Sequence, residues 1–250
     1  MRYFVNLMVM LFITLTSTIS YAENSPKILL VLTSHSQLGD TGKKTGFWLP
    51  ELTHPYYEFK KAGYLIDVAS IQGGVAPVDS KSLEAPDDAH QRFLQDAELM
   101  AKVFTTLPLS EVDPGAYQAV VFAGGSGSMW DFPNNEHVNR VAATIYENNG
   151  IVSAICHGPA ALVDIKLSSG KYLVSGKKVA AFTNEEEKEL KLTHVVPFLL
   201  QDKLIERGAK YIHGKPWKEN VVVDGRLITG QNPASAKKVA EKIIEHLKAQ

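Results

Sequence analysis

The chain contains one cysteine, Cys156, in 250 residues. No disulfide can therefore form within it, and no framework of bridges stands in for a hydrophobic core. Charge of one sign is also lacking, since 26 Lys and Arg face 27 Asp and Glu for a formal net charge of −1. That balance gives no electrostatic reason for nucleic acid or an anionic membrane as partner, and leaves a small molecule or a protein. Cys and His pairs at metal-ligand spacing are missing, so His35, His54 and Glu51, which carry suitable donor atoms, make no metal motif by themselves. Gly124-Gly125-Ser126-Gly127 lacks the Lys-Ser/Thr end of a phosphate-binding loop, which removes nucleotide binding. Internal repeats and low-complexity tracts are absent too.

No apolar run reaches the ~20 residues that span a bilayer. The longest, Leu7 to Ile19, follows Arg2 and precedes Ser20-Tyr21-Ala22, with small residues at the two positions a signal peptidase reads. The sequence predicts a signal peptide over residues 1–22, cleavage after Ala22, and export to the periplasm or beyond. Residues 23–250 are then long enough for one domain with a sizeable core. In an oxidising compartment the lone thiol stays free, becomes oxidised or bridges two chains.

Lys27-Ile28-Leu29-Leu30-Val31-Leu32-Thr33 reads as a central parallel strand covered on both faces. Glu51 to Ala62 carries apolar residues at helical spacing, stops at Gly63 and leads into a strand at Leu65 to Ala69. A helix over Ala89 to Leu107, a strand over Ala119 to Ala123, a helix over Asn135 to Asn148 and a strand over Ile151 to Ile155 follow. Further strands are expected at Lys178 to Phe182, Tyr211-Ile212, Val221 to Val223 and Leu227 to Thr229, the last two joined at Asp224-Gly225. A helix over Ala234 to Lys248 closes the chain. This alternation predicts an α/β fold with a doubly wound, mostly parallel sheet, which binds ligands at the carboxyl ends of its strands. Gln72 to Asp88 reads as a long loop of functional length, placed to cover the site.

Cys156 falls where a strand ends and a helix is expected to begin. Such a turn lifts a side chain out of the sheet, and the free N–H groups of the new helix favour a thiolate. A buried core cysteine is the plain alternative; the adjoining His157-Gly158-Pro159 favours a nucleophile. His157 can act as base, a carboxylate among Glu185, Glu186 and Glu187 can orient it, and Glu51 lies near the mouth of the first strand. Gly124 and Gly125 offer close backbone approach and N–H donors for an oxyanion. The three glutamates also suit the charged first turn of a helix, and the glycines suit a tight turn.

Ala154-Ile155-Cys156-His157-Gly158-Pro159, with Gly124-Gly125, Asp131, Ala181 to Glu187 and Gly230 to Ser235, resembles the ThiJ/PfpI superfamily, of class I glutamine amidotransferase-like fold. Gly46 to Glu51 with His54-Pro55, the Gly73-Gly74 loop and Pro216-Trp217 are similar to the branch holding glyoxalase III enzymes and heat-inducible holdase chaperones. The resemblance implies a flavodoxin-like sheet, Cys156 as nucleophile, Glu51 bonded to it, His157 as its histidine and Glu187 as the carboxylate that orients that ring. It also implies a homodimer. Ser126 departs from the branch, which commonly has histidine there. The implied activity converts methylglyoxal and related 2-oxoaldehydes to 2-hydroxy acids such as D-lactate, with no cofactor. The thiolate forms a hemithioacetal, Gly125 and His157 N–H groups meet the oxyanion, and Glu51 must hold a proton, covered by Trp48 or Trp130. Alternatives are a holdase for unfolded clients, a redox sensor, and a cysteine amidase or peptidase. For an amidotransferase, His194, His213 and His246 lack the downstream His-x-Glu spacing.

Overall fold

The structure, a computed structural model, describes residues 26–84 and 87–249. The expected leader lies outside the described residues. The chain runs through β1 (Lys27–Leu32), α1 (Leu49–Lys61), β2 (Leu65–Ser70), α2 (Lys81–Glu84), α3 (Asp88–Gln95), α4 (Ala97–Phe104) and β3 (Leu107–Pro108). It continues through β4 (Ala119–Phe122), α5 (Ser128–Asp131), α6 (Glu136–Glu147), β5 (Ile151–Ile155), β6 (Lys178–Val179), α7 (Asn184–Glu189) and α8 (Leu200–Glu206). Last come β7 (Lys210–Tyr211), β8 (Val221–Asp224), β9 (Leu227–Gly230) and α9 (Ala236–Lys248).

Seven strands form one sheet in the order β3-β2-β1-β4-β5-β9-β8. Every pairing in it is parallel except the β8–β9 hairpin. The chain winds outward from β1 to β3 and then returns to β4 on the other side of β1, so a crevice opens where the winding reverses. Among the described residues no helix is long and apolar enough to cross a membrane.

Strand side chains alternate between two cores, as a period of two requires. Ile28, Leu30 and Leu32 of β1 pack with Leu49, Leu52 and Phe59 of α1 and with Val239, Ala240 and Ile243 of α9. Leu29 and Val31 face the other way, towards Val138, Val141 and Ile145 of α6 and Leu200 and Leu204 of α8. Both faces of the central strands are thus covered, which is why they read as unbroken apolar runs.

Three expectations are corrected. The helix expected over Ala89 to Leu107 is two helices, because the Asp96 side chain accepts from Leu99 N–H and starts α4 afresh,. The strand expected over Lys178 to Phe182 is only two residues long and pairs with β7 in a separate two-stranded sheet. The helix expected after Cys156 is a six-residue 3₁₀ helix, Gly158–Val163. Within the expected loop Gln72 to Asp88, the part up to Glu84 holds α2 and bridges from Val78 to Phe47 and from Gly74 to Thr106.

Candidate active site

Cys156 leaves β5 with a φ of +59°, a left-handed conformation that costs a residue with a Cβ about 1–3 kcal/mol. The turn is held from both sides. Its N–H donates to Gly230 of β9 (2.9 Å), and its carbonyl accepts from the Phe182 N–H (2.8 Å). Such an elbow presents the sulfur at the strand end, where it lines a cavity of about 350 Å³ shared with Trp48, Phe182, Trp217 and His157.

The His157 Nδ1 lies 3.5 Å from the Cys156 Sγ, and its Nε2 lies 2.8 Å from Glu187 Oε2. A carboxylate takes the Nε2 proton in a hydrogen bond, which leaves Nδ1 as an acceptor facing the thiol. Both side chains are buried, and the imidazole rests on Phe182 at 4.2 Å between ring centroids. Of the three candidate glutamates, Glu187 makes this contact. Glu185 is exposed. Glu186 is buried but fully occupied: Oε2 accepts from the Thr183 N–H and hydroxyl, and Oε1 from the Trp217 N–H and Asn232 Nδ2. Thr183 and Glu186 form a capping box that starts α7, so the helix is anchored by one glutamate and presents the next to His157,.

Glu51 sits in the first turn of α1, fully buried, and accepts the Gly124 N–H at 2.7 Å. Its carboxyl also interacts with the Cys156 thiol. Burial pushes its pKa from 4.5 up to about 8, against the smaller opposing pull of the Gly124 and Cys156 hydrogen bonds,. At neutral pH Glu51 therefore keeps its proton.

The thiolate expected from the sequence is corrected here. Burial, then the Glu51 carboxyl, raise the Cys156 pKa well above its ordinary value, and the Gly125 N–H bonded to it lowers it less. The short 3₁₀ helix that follows has no long stack of peptide dipoles to offset this. The resting nucleophile is a thiol between a protonated carboxyl and the His157 ring.

The glycine pair makes that geometry possible. A Cβ on Gly124 would stand 2.6 Å from the Ile155 carbonyl oxygen and 2.7 Å from the His157 nitrogen. Gly125, with a φ of +100°, would bring a Cβ within 2.4 Å of the Gly46 carbonyl. Ser126 lines the same cavity. Of the two tryptophans considered as covers for Glu51, Trp48 lines the cavity, while Trp130 stacks on His35 at 5.1 Å. Asp131 accepts from the Thr33 hydroxyl and the Ser34 N–H, both at 2.7 Å, tying α5 to the end of β1.

Other sequence candidates lie elsewhere. The His35 Nε2 contacts the Gln37 carbonyl and the His54 Nε2 lies 2.9 Å from Asp87. Among the described residues no three His, Cys, Asp or Glu side chains are grouped to hold a metal ion. His194, His213 and His246 are outside the cavity lining. Thr183, Asn232, Lys43, Lys44 and Lys81 were not singled out from the sequence, although Thr183-x-x-Glu186 is a capping-box pattern and separates Glu186 from Glu187.

The model of the DJ-1/PfpI family matches residues 44–246. The chain belongs to this family. It is 35% identical over 234 residues to Glyoxalase 3 of Candida albicans, covering 87% of this chain and 97% of the relative. It is 33% identical to the glutathione-independent glyoxalase HSP31 of Saccharomyces cerevisiae, covering 89% and 98%. A crystal structure of Rapid Encystment Protein 24 KDa from Francisella tularensis matches with a TM-score of 0.86 and 43% identity, over 89% of this chain and 99% of that one. The architecture and the site stand on a shared fold.

Below pH 4.5 Glu51 holds its proton in both folded and unfolded chains; between 4.5 and about 8 only the folded chain holds it. Each rise in pH across that window therefore favours unfolding, and above it the loss is complete and worth several kcal/mol. Denaturation of wild type and Glu51→Gln across the window should show the wild type losing stability relative to the variant as pH rises. Parallel curves would contradict the buried proton.

Proposed function

We propose that the chain is a glutathione-independent glyoxalase that converts 2-oxoaldehydes, methylglyoxal among them, to 2-hydroxy acids. The carrying observation is the arrangement on one sulfur: a protonated Glu51 on one side and the His157 Nδ1, its ring held by Glu187, on the other. A neutral acid and an imidazole nitrogen on one sulfur can give and take a proton. The printed names of the two fungal relatives support the same reaction.

In this reading the Cys156 sulfur bonds to the aldehyde carbon as its proton passes to His157 Nδ1, and the N–H groups of Gly125 and His157 meet the developing oxyanion. The proton returns to that oxygen and gives the hemithioacetal. His157 then takes the hydrogen of the former aldehyde carbon while Glu51 protonates the neighbouring carbonyl oxygen. The enediol so formed takes the proton back from His157 at that second carbon while the hydroxyl on the sulfur-bearing carbon returns a proton to Glu51, which gives a thioester of the 2-hydroxy acid. Water cleaves the thioester and restores the thiol. One carbon is oxidised and its neighbour reduced by the same two electrons, so the rearrangement balances internally.

Incubating the purified protein with methylglyoxal in the absence of glutathione should yield lactate. Cys156→Ala should fold, by circular dichroism, and form none, and Glu51→Gln should lose ~10² or more in rate with its acid–base group. A Cys156→Ala variant turning over at the wild-type rate would overturn the reading.

The proposal extends to export, on the strength of the basic start, the short apolar run and Ser20-Tyr21-Ala22,. The chain expressed with its leader in a Gram-negative host should be recovered from the periplasm beginning at Glu23. Intact Met1 in the cytosolic fraction would contradict it.

A further inference from the structure

The cavity over Cys156 is larger and more positive than a three-carbon aldehyde needs. Its volume, about 350 Å³, falls in the range of sites that take ligands of many heavy atoms. Near the sulfur its walls are apolar, formed by Trp48, Phe182 and Trp217, and three lysines, Lys43, Lys44 and Lys81, line it as well. The lysines come from two separate stretches. Lys43 and Lys44 lie on a small hairpin after β1, closed by the Gln37–Lys44 bridge and by Leu38 N–H to the Lys43 carbonyl. Lys81 opens α2.

All three are exposed, and among the described residues none pairs with a carboxylate. Asp79, the acid beside them, is occupied: Oδ2 accepts from the Thr45 hydroxyl and Oδ1 from the Lys81 N–H. Deeper in, Glu187 is hydrogen-bonded to His157 outside the cavity lining, and Glu51 is neutral. The bonds to Asp79 come from neutral donors and leave its charge in place, but three lysines against one carboxylate still leave the cavity lining net positive. The Ser126 hydroxyl adds a neutral donor on the same wall.

We propose that this pocket selects 2-oxoaldehydes that carry an anionic group at the end remote from the aldehyde, with Lys43, Lys44 and Lys81 receiving that group. The inference rests on the glyoxalase reading and names the substrate class of that same site. The reaction is unchanged in kind. For 4,5-dioxopentanoate the aldehyde carbon is oxidised to a carboxylate, the adjacent ketone is reduced to an alcohol, and water adds, giving 2-hydroxyglutarate. The distal carboxylate takes no part in the electron balance. A rim of one sign raises the local concentration of an opposite charge and speeds its capture, while leaving the chemistry at the sulfur alone.

The test compares 4,5-dioxopentanoate with its methyl ester on the purified full chain, the ester serving as an uncharged internal reference. At low salt kcat/KM for the acid should exceed that for the ester by roughly tenfold, at the low end of electrostatic steering. The ratio should fall towards one in Lys43→Gln/Lys44→Gln/Lys81→Gln, and in about 1 M salt, where charges are screened beyond ~3 Å. Equal values for acid and ester in the wild type, or a preference that survives in the triple variant, would overturn the proposal. A second arm needs no turnover. Fluorescence of Trp48 and Trp217 in Cys156→Ala should report tighter binding of 2-hydroxyglutarate than of lactate, and lose that difference in the triple-lysine background. If neither oxoaldehyde nor methylglyoxal reacts, the glyoxalase reading fails on its own, and this arm alone decides the anion site: equal binding overturns it.

Discussion

A carboxylic acid and a thiol share one buried space at the end of β5, and burial allows them no negative charge at rest. Glu51 answers by keeping its proton, with a pKa of about 8, and Cys156 stays a thiol beside it. The surrounding structure serves this contact. The Gly124 N–H steadies one oxygen of Glu51, the Gly125 N–H reaches the sulfur, and both approaches need the space that only glycine leaves,. His157 faces the same sulfur from the other side with the nitrogen that does not contact Glu187.

This arrangement runs against stability in two places. The Cys156 backbone is strained, and a buried acid is tolerated only as long as it stays neutral,. The covered sheet supports both. Hydrogen bonds from β9 and Phe182 fix the elbow, and the packing of α1 against α9 and the central strands seats Glu51 at the first turn of its helix. A site that disfavours folding in this way is not explained by packing; it fits a group held for chemistry.

The sheet was legible because its central strands are apolar on both faces, so Lys27 to Leu32 and Ile151 to Ile155 stand out without regard to period. Short elements were not. The two-residue strand at Lys178–Val179 is set by pairing with distant Lys210–Tyr211, and the break at Asp96 turns on one side chain bending back to cap a helix. At the site, Cys156, His157 and the glycine pair announced themselves by sequence order, whereas Glu51 and Glu187 stood only among candidate acids and took their roles from the resemblance, since acids at helix starts are commonplace. The charge state of Cys156 was misjudged for a physical reason. Local sequence shows the helix that follows but not the burial, and burial outweighs the dipole of a six-residue 3₁₀ turn. The lysine rim was invisible because Lys43 and Lys81 meet only in the folded chain.

The central claim is that Glu51 is a neutral acid in the resting protein. Infrared difference spectroscopy of wild type against Glu51→Gln at neutral pH reads this directly. The account predicts the carbonyl stretch of a protonated carboxyl in the wild type alone, fading as pH passes about 8. A carboxylate signature at neutral pH in place of that band would contradict it.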